Sequence, residues 1–229
     1  MGNRRLGAQR LNALLKRGSD ETDLTYQAGA GIKDAVVSHK VIKRGGIIET
    51  QILIDLQGKS GSIIHSADTD RDMIGATTDA TDEAAALAAA VEDASVMTWE
   101  NDVHGIIFES EVAVIEAPAG GSNDIDVVFA TKNTSFKLGT AVGSLSITAS
   151  LYLPGAALTV GDRVFLPVMD EDLDNADPEQ VEIRWPNGTF ADLDGKALYL
   201  LSNDANPGAQ YTAGKILITL RGLDTSWGF

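Results

Sequence analysis

Two acidic runs have the residue types and spacing of a hard-cation loop. Asp68, Asp70 and Asp72 stand at positions 1, 3 and 5 of one, and Asp170, Asp172 and Asp174 stand at the same positions of the other. Alternating carboxylates supply oxygen ligands to calcium, but such a loop also needs glycine at position 6 and a bidentate glutamate at position 12. The first run has Met73 and Asp79 there, and the second has Asn175 and Val181. Both runs, the second extending over 170–177, therefore read as solvated acidic loops, and no metal ligand is assigned. His39, His65 and His104 fall in no H-x-x-x-H or H-E-x-x-H pattern, so each reads as structural, although two could meet in space. Gly143-Ser144-Leu145 is only half of a nucleophile elbow. Gly29-Ala30-Gly31 and Gly45-Gly46 lack the downstream glycine, lysine and hydroxyl residue that cradle a phosphate. There is no cysteine, which excludes a disulfide scaffold, a thiolate zinc site and a cysteine nucleophile. Any two acids might meet as a glycosidase pair, but nothing marks one. The reading is that the chain is not an enzyme, with no catalytic residue, no cofactor and no metal.

The elements that would position these residues are mostly strands. Val36–Ile42 and Ile47–Leu56 are β-branched runs joined at Arg44-Gly45-Gly46, a hairpin candidate in which glycine supplies positive φ. Ser62–Ser66 is a short run. Ile106–Ala117 alternates best, with Phe108, Val112 and Val114 facing one side. Ile125–Thr131 follows the turn Pro118-Ala119-Gly120-Gly121-Ser122, and Leu145–Leu153 stops at Pro154-Gly155. Arg163–Val168, Leu198–Ser202 and Ile216–Leu220 follow, the last entered from the loop Tyr211–Lys215. Short strands at this spacing predict an antiparallel β-sandwich or jelly-roll-like domain, mainly β, and not a parallel α/β sheet. One internal helix is predicted over Thr81–Val91, capped by Thr81 or Asp82 with acids in its first turn.

The 229 residues are 44% hydrophobic and 22% charged, enough to bury a core. The formal net charge is −15, which argues against a generally basic nucleic-acid binder. The charge is divided along the chain. Residues 1–44 hold nine basic and four acidic residues, whereas 45–229 hold nine basic and 29 acidic. Leu6, Leu11, Leu14 and Leu15 fall near one helical face, with Arg4, Arg5, Arg10, Lys16 and Arg17 mostly off it and Gly18 as a stop. Residues 1–24 are thus read as a basic, helical N-terminal arm on a β-rich body, 25–229. Such a helix is marginal alone and orders by docking its leucines on an acidic surface. That surface could belong to its own body, a sister subunit or another protein; a nucleic-acid contact through the arm is the less favoured alternative, and the simplest reading is a solvated amphipathic helix that caps the body. Trp227 and Phe229 could pack at a subunit interface, or equally in the core or as a tail. No stretch approaches the ~18 apolar residues of a membrane span, and residues 1–18 lack the apolar segment of a signal peptide. The expectation is a soluble protein made in the cytoplasm.

Several segments resemble a group of virion structural proteins of marine tailed bacteriophages. They are Arg4-Arg5-Leu6-Gly7 with Arg10-Leu11, Ala28-Gly29-Ala30-Gly31-Ile32-Lys33-Asp34-Ala35, and Glu116-Ala117-Pro118-Ala119-Gly120-Gly121-Ser122-Asn123-Asp124-Ile125-Asp126, with Leu198-Tyr199-Leu200 and Tyr211–Ile218. The stretch from 131 to 191 fits less well. The resemblance implies a capsid decoration or cement protein, often a β-sandwich or jelly-roll homotrimer, that sits on the major capsid protein outside the head shell. On that expectation Leu11, Leu14 and Leu15 anchor the arm, while Arg4, Arg5, Arg10, Lys16 and Arg17 orient it. The alternatives are a head–tail connector, fibre or tail component, and a host-polysaccharide-binding module or hydrolase. The scarcity of aromatics weighs against the last of these.

Overall fold

The computed structural model describes residues 20–22, 32, 37–58, 63–67, 72–79, 81–152, 157–166, 193–202 and 209–224. Two antiparallel sheets dominate. The first has six strands: β1 (Asp20–Thr22), β2 (Val37–Arg44), β3 (Ile47–Asp55), β13 (Ala213–Leu223), β8 (Ile106–Ala119) and β11 (Arg163–Leu166), side by side in that order. The second has five: β10 (Ile147–Tyr152), β9 (Ile125–Thr131), β12 (Lys196–Ser202) and β5 (Asp72–Met73) in order, with β7 (Met97–Thr98) also on β12. A small pair, β4 (Ile63–His65) and β6 (Gly75–Thr77), stands apart. The chain crosses directly between the two large sheets after β7, β8, β10, β11 and β12.

The period-two pattern decides which residues face inward. On β3, Ile48, Thr50, Ile52 and Ile54 are buried while the residues between them are half-buried. Ile216, Ile218 and Leu220 of β13 and Val112 and Val114 of β8 continue the same face. They pack against Ile125, Val127 and Phe129 of β9 and Leu198 and Leu200 of β12 in one core, which makes the two sheets a sandwich. The five-stranded sheet is covered on its other face too. Val128, Ala130, Ala197, Tyr199 and Leu201 form a second core with Met73 and Ala94, against which Phe136, Val142, Leu145 and Ile147 pack. β9 and β12 therefore read as continuous apolar runs because both of their faces are dry.

Several details differ from the sequence reading. β8 has a register shift opposite Arg221 and Gly222. This bulge changes the parity of the strand, so Ile107 is buried while Phe108 is only half-buried. The helix predicted over 81–91 is shorter: α1 spans Glu83–Ala88, with the Asp82 side chain accepting from the Ala85 N–H. After Ala89 the chain turns to bridge Thr77 through Ala90. A second short helix, α2 (Asn101–His104), was not anticipated. β13 begins at Ala213, inside the predicted loop. The predicted hairpin is present: Arg44 pairs with Ile47, and Gly45 takes φ +64° at the first of the two loop positions.

Candidate functional site

The arm residues expected to bind a partner, Arg4, Arg5, Arg10, Leu11, Leu14, Leu15, Lys16 and Arg17, lie outside the described residues, as do Asp68, Asp70, 170–177, Trp227 and Phe229. Within the span 1–24 only β1 is described, paired with β2 at the edge of the six-stranded sheet with Asp20 opposite Lys43 and Thr22 opposite Val41. Asp72, the third acid of the first run, belongs to strand β5 and pairs with Ser202. Among the described residues, no three His, Asp or Glu side chains are gathered as a metal site requires.

Two histidines do meet. His39 is on the inner face of β2, opposite Ile52, and His104 ends α2. Their ring centroids lie 5.4 Å apart, and His104 stacks on Trp99 at 4.8 Å. Trp99 in turn meets Phe129 edge to face and donates its indole N–H to the Gly105 carbonyl at 3.0 Å. Nδ1 of His104 lies 3.0 Å from the Glu100 amide nitrogen and 3.1 Å from the Glu100 carbonyl oxygen, and Nε2 makes no hydrogen bond. Burial lowers both histidines from 6.5 to about 4. His104 is lowered further by repulsion from His39 and raised by its backbone contact with Glu100. Both rings are therefore neutral at pH 7. With 3% and 1% exposure they act on packing and stability rather than on a substrate in solvent. His65 is apart, its Nδ1 2.7 Å from the Ser66 carbonyl oxygen.

The outer face of the six-stranded sheet carries charge in ordered rows. The central strand β13 supplies cations, and its neighbours supply acids. Arg221 bonds Glu49 of β3 through Nε at 3.2 Å and Glu109 of β8 through a terminal nitrogen. Lys215 bonds Glu116 of β8 at 2.5 Å and lies 3.7 Å from Asp55 of β3. The Lys215 hydrogen bond holds the Glu116 carboxyl below its usual range, and the same bond raises the Lys215 ammonium. At the β11 edge, Arg163 bonds Glu111 at 2.7 Å. Between the two acid–base–acid rows lie the row Gln51–Thr219–Glu111 and the apolar row Leu53–Leu217–Ala113. The sequence shows alternating charges on each strand but not which three residues stand abreast. That depends on register.

No protein family, no curated protein and no solved structure matches this chain.

Proposed function

We propose that this protein is a structural component of a bacteriophage virion. It binds the outside of the head shell on the major capsid protein and decorates or cements capsomers as a homotrimer. The observation that carries the reading is the division of the molecule. A basic, leucine-bearing arm precedes an acidic body built as a doubly packed sandwich. An arm of this kind suits a surface on a neighbouring subunit: charges speed and orient the encounter, and buried apolar anchors supply most of the affinity. The sequence resemblance supplies the setting, a phage head, where such lattices of neighbouring subunits exist.

The test is the amount of this protein in purified virions relative to the major capsid protein. A copy number comparable to the capsid protein, or one trimer per shell site, supports decoration of the whole head. A few copies per particle would move it to a connector, fibre or tail position. Absence from the particle would favour the polysaccharide-binding or hydrolase alternative.

A further inference from the structure

Across the outer face of the six-stranded sheet the charges change sign from strand to strand. β2 carries Lys40 and Arg44, β3 Glu49 and Asp55, β13 Lys215 and Arg221, β8 Glu109, Glu111 and Glu116, and β11 Arg163. Among the described residues the face thus holds five cations and five acids, whereas residues 45–229 as a whole hold nine and 29. Two copies of so acidic a chain repel one another through an average surface, but not through this one. Apolar rows lie between the charges. Ile47, Leu223 and Ile106 stand abreast at one end of the face, and Leu53, Leu217 and Ala113 nearer the other. None of the six is buried.

The order of signs decides how a second copy can meet this face. A twofold axis across the strands would lay each strand on its own counterpart, cation on cation and acid on acid. A twofold axis along the strands, over the line between β3 and β13, lays β3 on β13 and β2 on β8 of the other copy. This rotation keeps each residue at its level along the strands, so the register sets the pairs. Glu49 meets Arg221 of the other copy, Asp55 meets Lys215, Leu53 meets Leu217 and Ile47 meets Leu223. Lys40 meets Glu111. Each contact occurs twice, and no charge meets its own sign. The line between β3 and β13 is also the centre of the sheet, with three strands on either side, so this axis overlaps the most area. The four fully overlapping strands are ~19 Å wide, and the nine residues of β3 are ~30 Å long. Their projected area is ~1,100 Å² over the two copies, above the ~1,000 Å² that a specific interface needs.

We propose that the outer face of the six-stranded sheet is a homodimer interface, on which a second copy sits about a twofold axis parallel to the strands between β3 and β13. The contact is isologous and closes at two copies. The alternating charges fix its register and suppress misaligned approaches, while the apolar rows supply the burial. It is separate from the trimer contact of the virion reading and does not depend on that reading.

The chain's lack of cysteine permits a direct test with full-length protein. Gln51→Cys lies beside the axis at mid-face, and Ser144→Cys marks an exposed position beyond the five-stranded sheet as a control. Two copies of position 51 are one strand spacing apart laterally and ~10 Å apart between the sheets, within reach of a short bismaleimide. At low salt and micromolar protein, that reagent should join two Gln51→Cys chains at least tenfold faster than two Ser144→Cys chains. Equal rates would overturn the proposal. In the Gln51→Cys protein, Arg221→Glu alone or Glu49→Arg alone should slow crosslinking several-fold, since each puts like charges face to face twice. An equal mixture of the two should recover most of the rate, because every reversed charge in the mixed dimer meets its opposite. Mixing cannot repair damage within one sheet. Two variants that are folded by circular dichroism and gain nothing on mixing would also overturn it. The comparison of Gln51→Cys with Ser144→Cys stands whether or not those variants fold. No capsid takes part, so this result and the virion stoichiometry can fail separately.

Discussion

His39 and His104 are buried as neutral rings, which makes acid a specific stress on this protein. Each titrates near 6.5 in the unfolded chain and near 4 in the folded one. Between those values the unfolded chain takes up protons that the folded chain refuses. The stability these rings permit is complete above pH 6.5 and is lost as the pH falls towards 4. Each pH unit in that window costs about 1.4 kcal/mol per histidine. Urea midpoints measured from pH 7 to pH 4.5 should therefore fall for the native chain, and His104→Phe should flatten the decline. An unchanged decline in that variant would mean that other groups control it. Gly222 gives a second prediction. A Cβ there would overlap the His104 carbonyl oxygen and crowd Gly105, so Gly222→Ala should cost about 1–3 kcal/mol through forced backbone movement. Chemical denaturation would show it, and a cost within a few tenths of a kcal/mol would contradict the close approach of α2 to β13.

Among the elements, α1 is short and depends on its cap. Asp82 accepts the Ala85 N–H at 2.8 Å, so Asp82→Ala should cost about 1 kcal/mol, measurable as a lower urea midpoint with an unchanged slope. Asp82→Asn should recover most of that cost, because asparagine also caps. The rows on the outer sheet behave differently. Arg221 is 29% exposed and sits between two acids, and partly exposed ion pairs contribute little. Arg221→Met should accordingly change stability by less than about 1 kcal/mol. That outcome would leave the rows free to serve recognition, whereas a much larger loss would give them a structural role.

Across the whole molecule, the charge division between residues 1–44 and 45–229 is the feature on which the virion proposal rests. Replacing Arg4, Arg5 and Arg10 by glutamate should leave the far-ultraviolet circular dichroism and melting temperature of the body unchanged while abolishing retention on capsids in a co-sedimentation assay. Full retention by that variant would remove the arm from the virion reading. The order of strands matters at this scale too. β13 lies between β3 and β8, so the last described strand of the chain holds the centre of the larger sheet. The face it organises is complete only once the chain has returned from the second sheet.

The class of fold was legible because strand periodicity is local: the alternation in Ile47–Asp55 and the apolar run Ile125–Thr131 name their elements without reference to anything distant. The hairpin at Gly45-Gly46 and the cap at Asp82 were legible for the same reason. Helix length was not, because the alanines from Ala84 to Ala90 favour helix whether or not a tertiary contact ends it, and the bridge from Ala90 to Thr77 ends it. The parity of β8 was hidden by a bulge that exists only in pairing with β13. The sequence by itself determined the charge division and the mainly antiparallel β architecture, since both follow from composition and short-range pattern. Only the tertiary structure decided that His39 meets His104 across 65 residues, or that Glu49, Arg221 and Glu109 stand abreast. Those contacts depend on register and chain crossing, which no local pattern encodes.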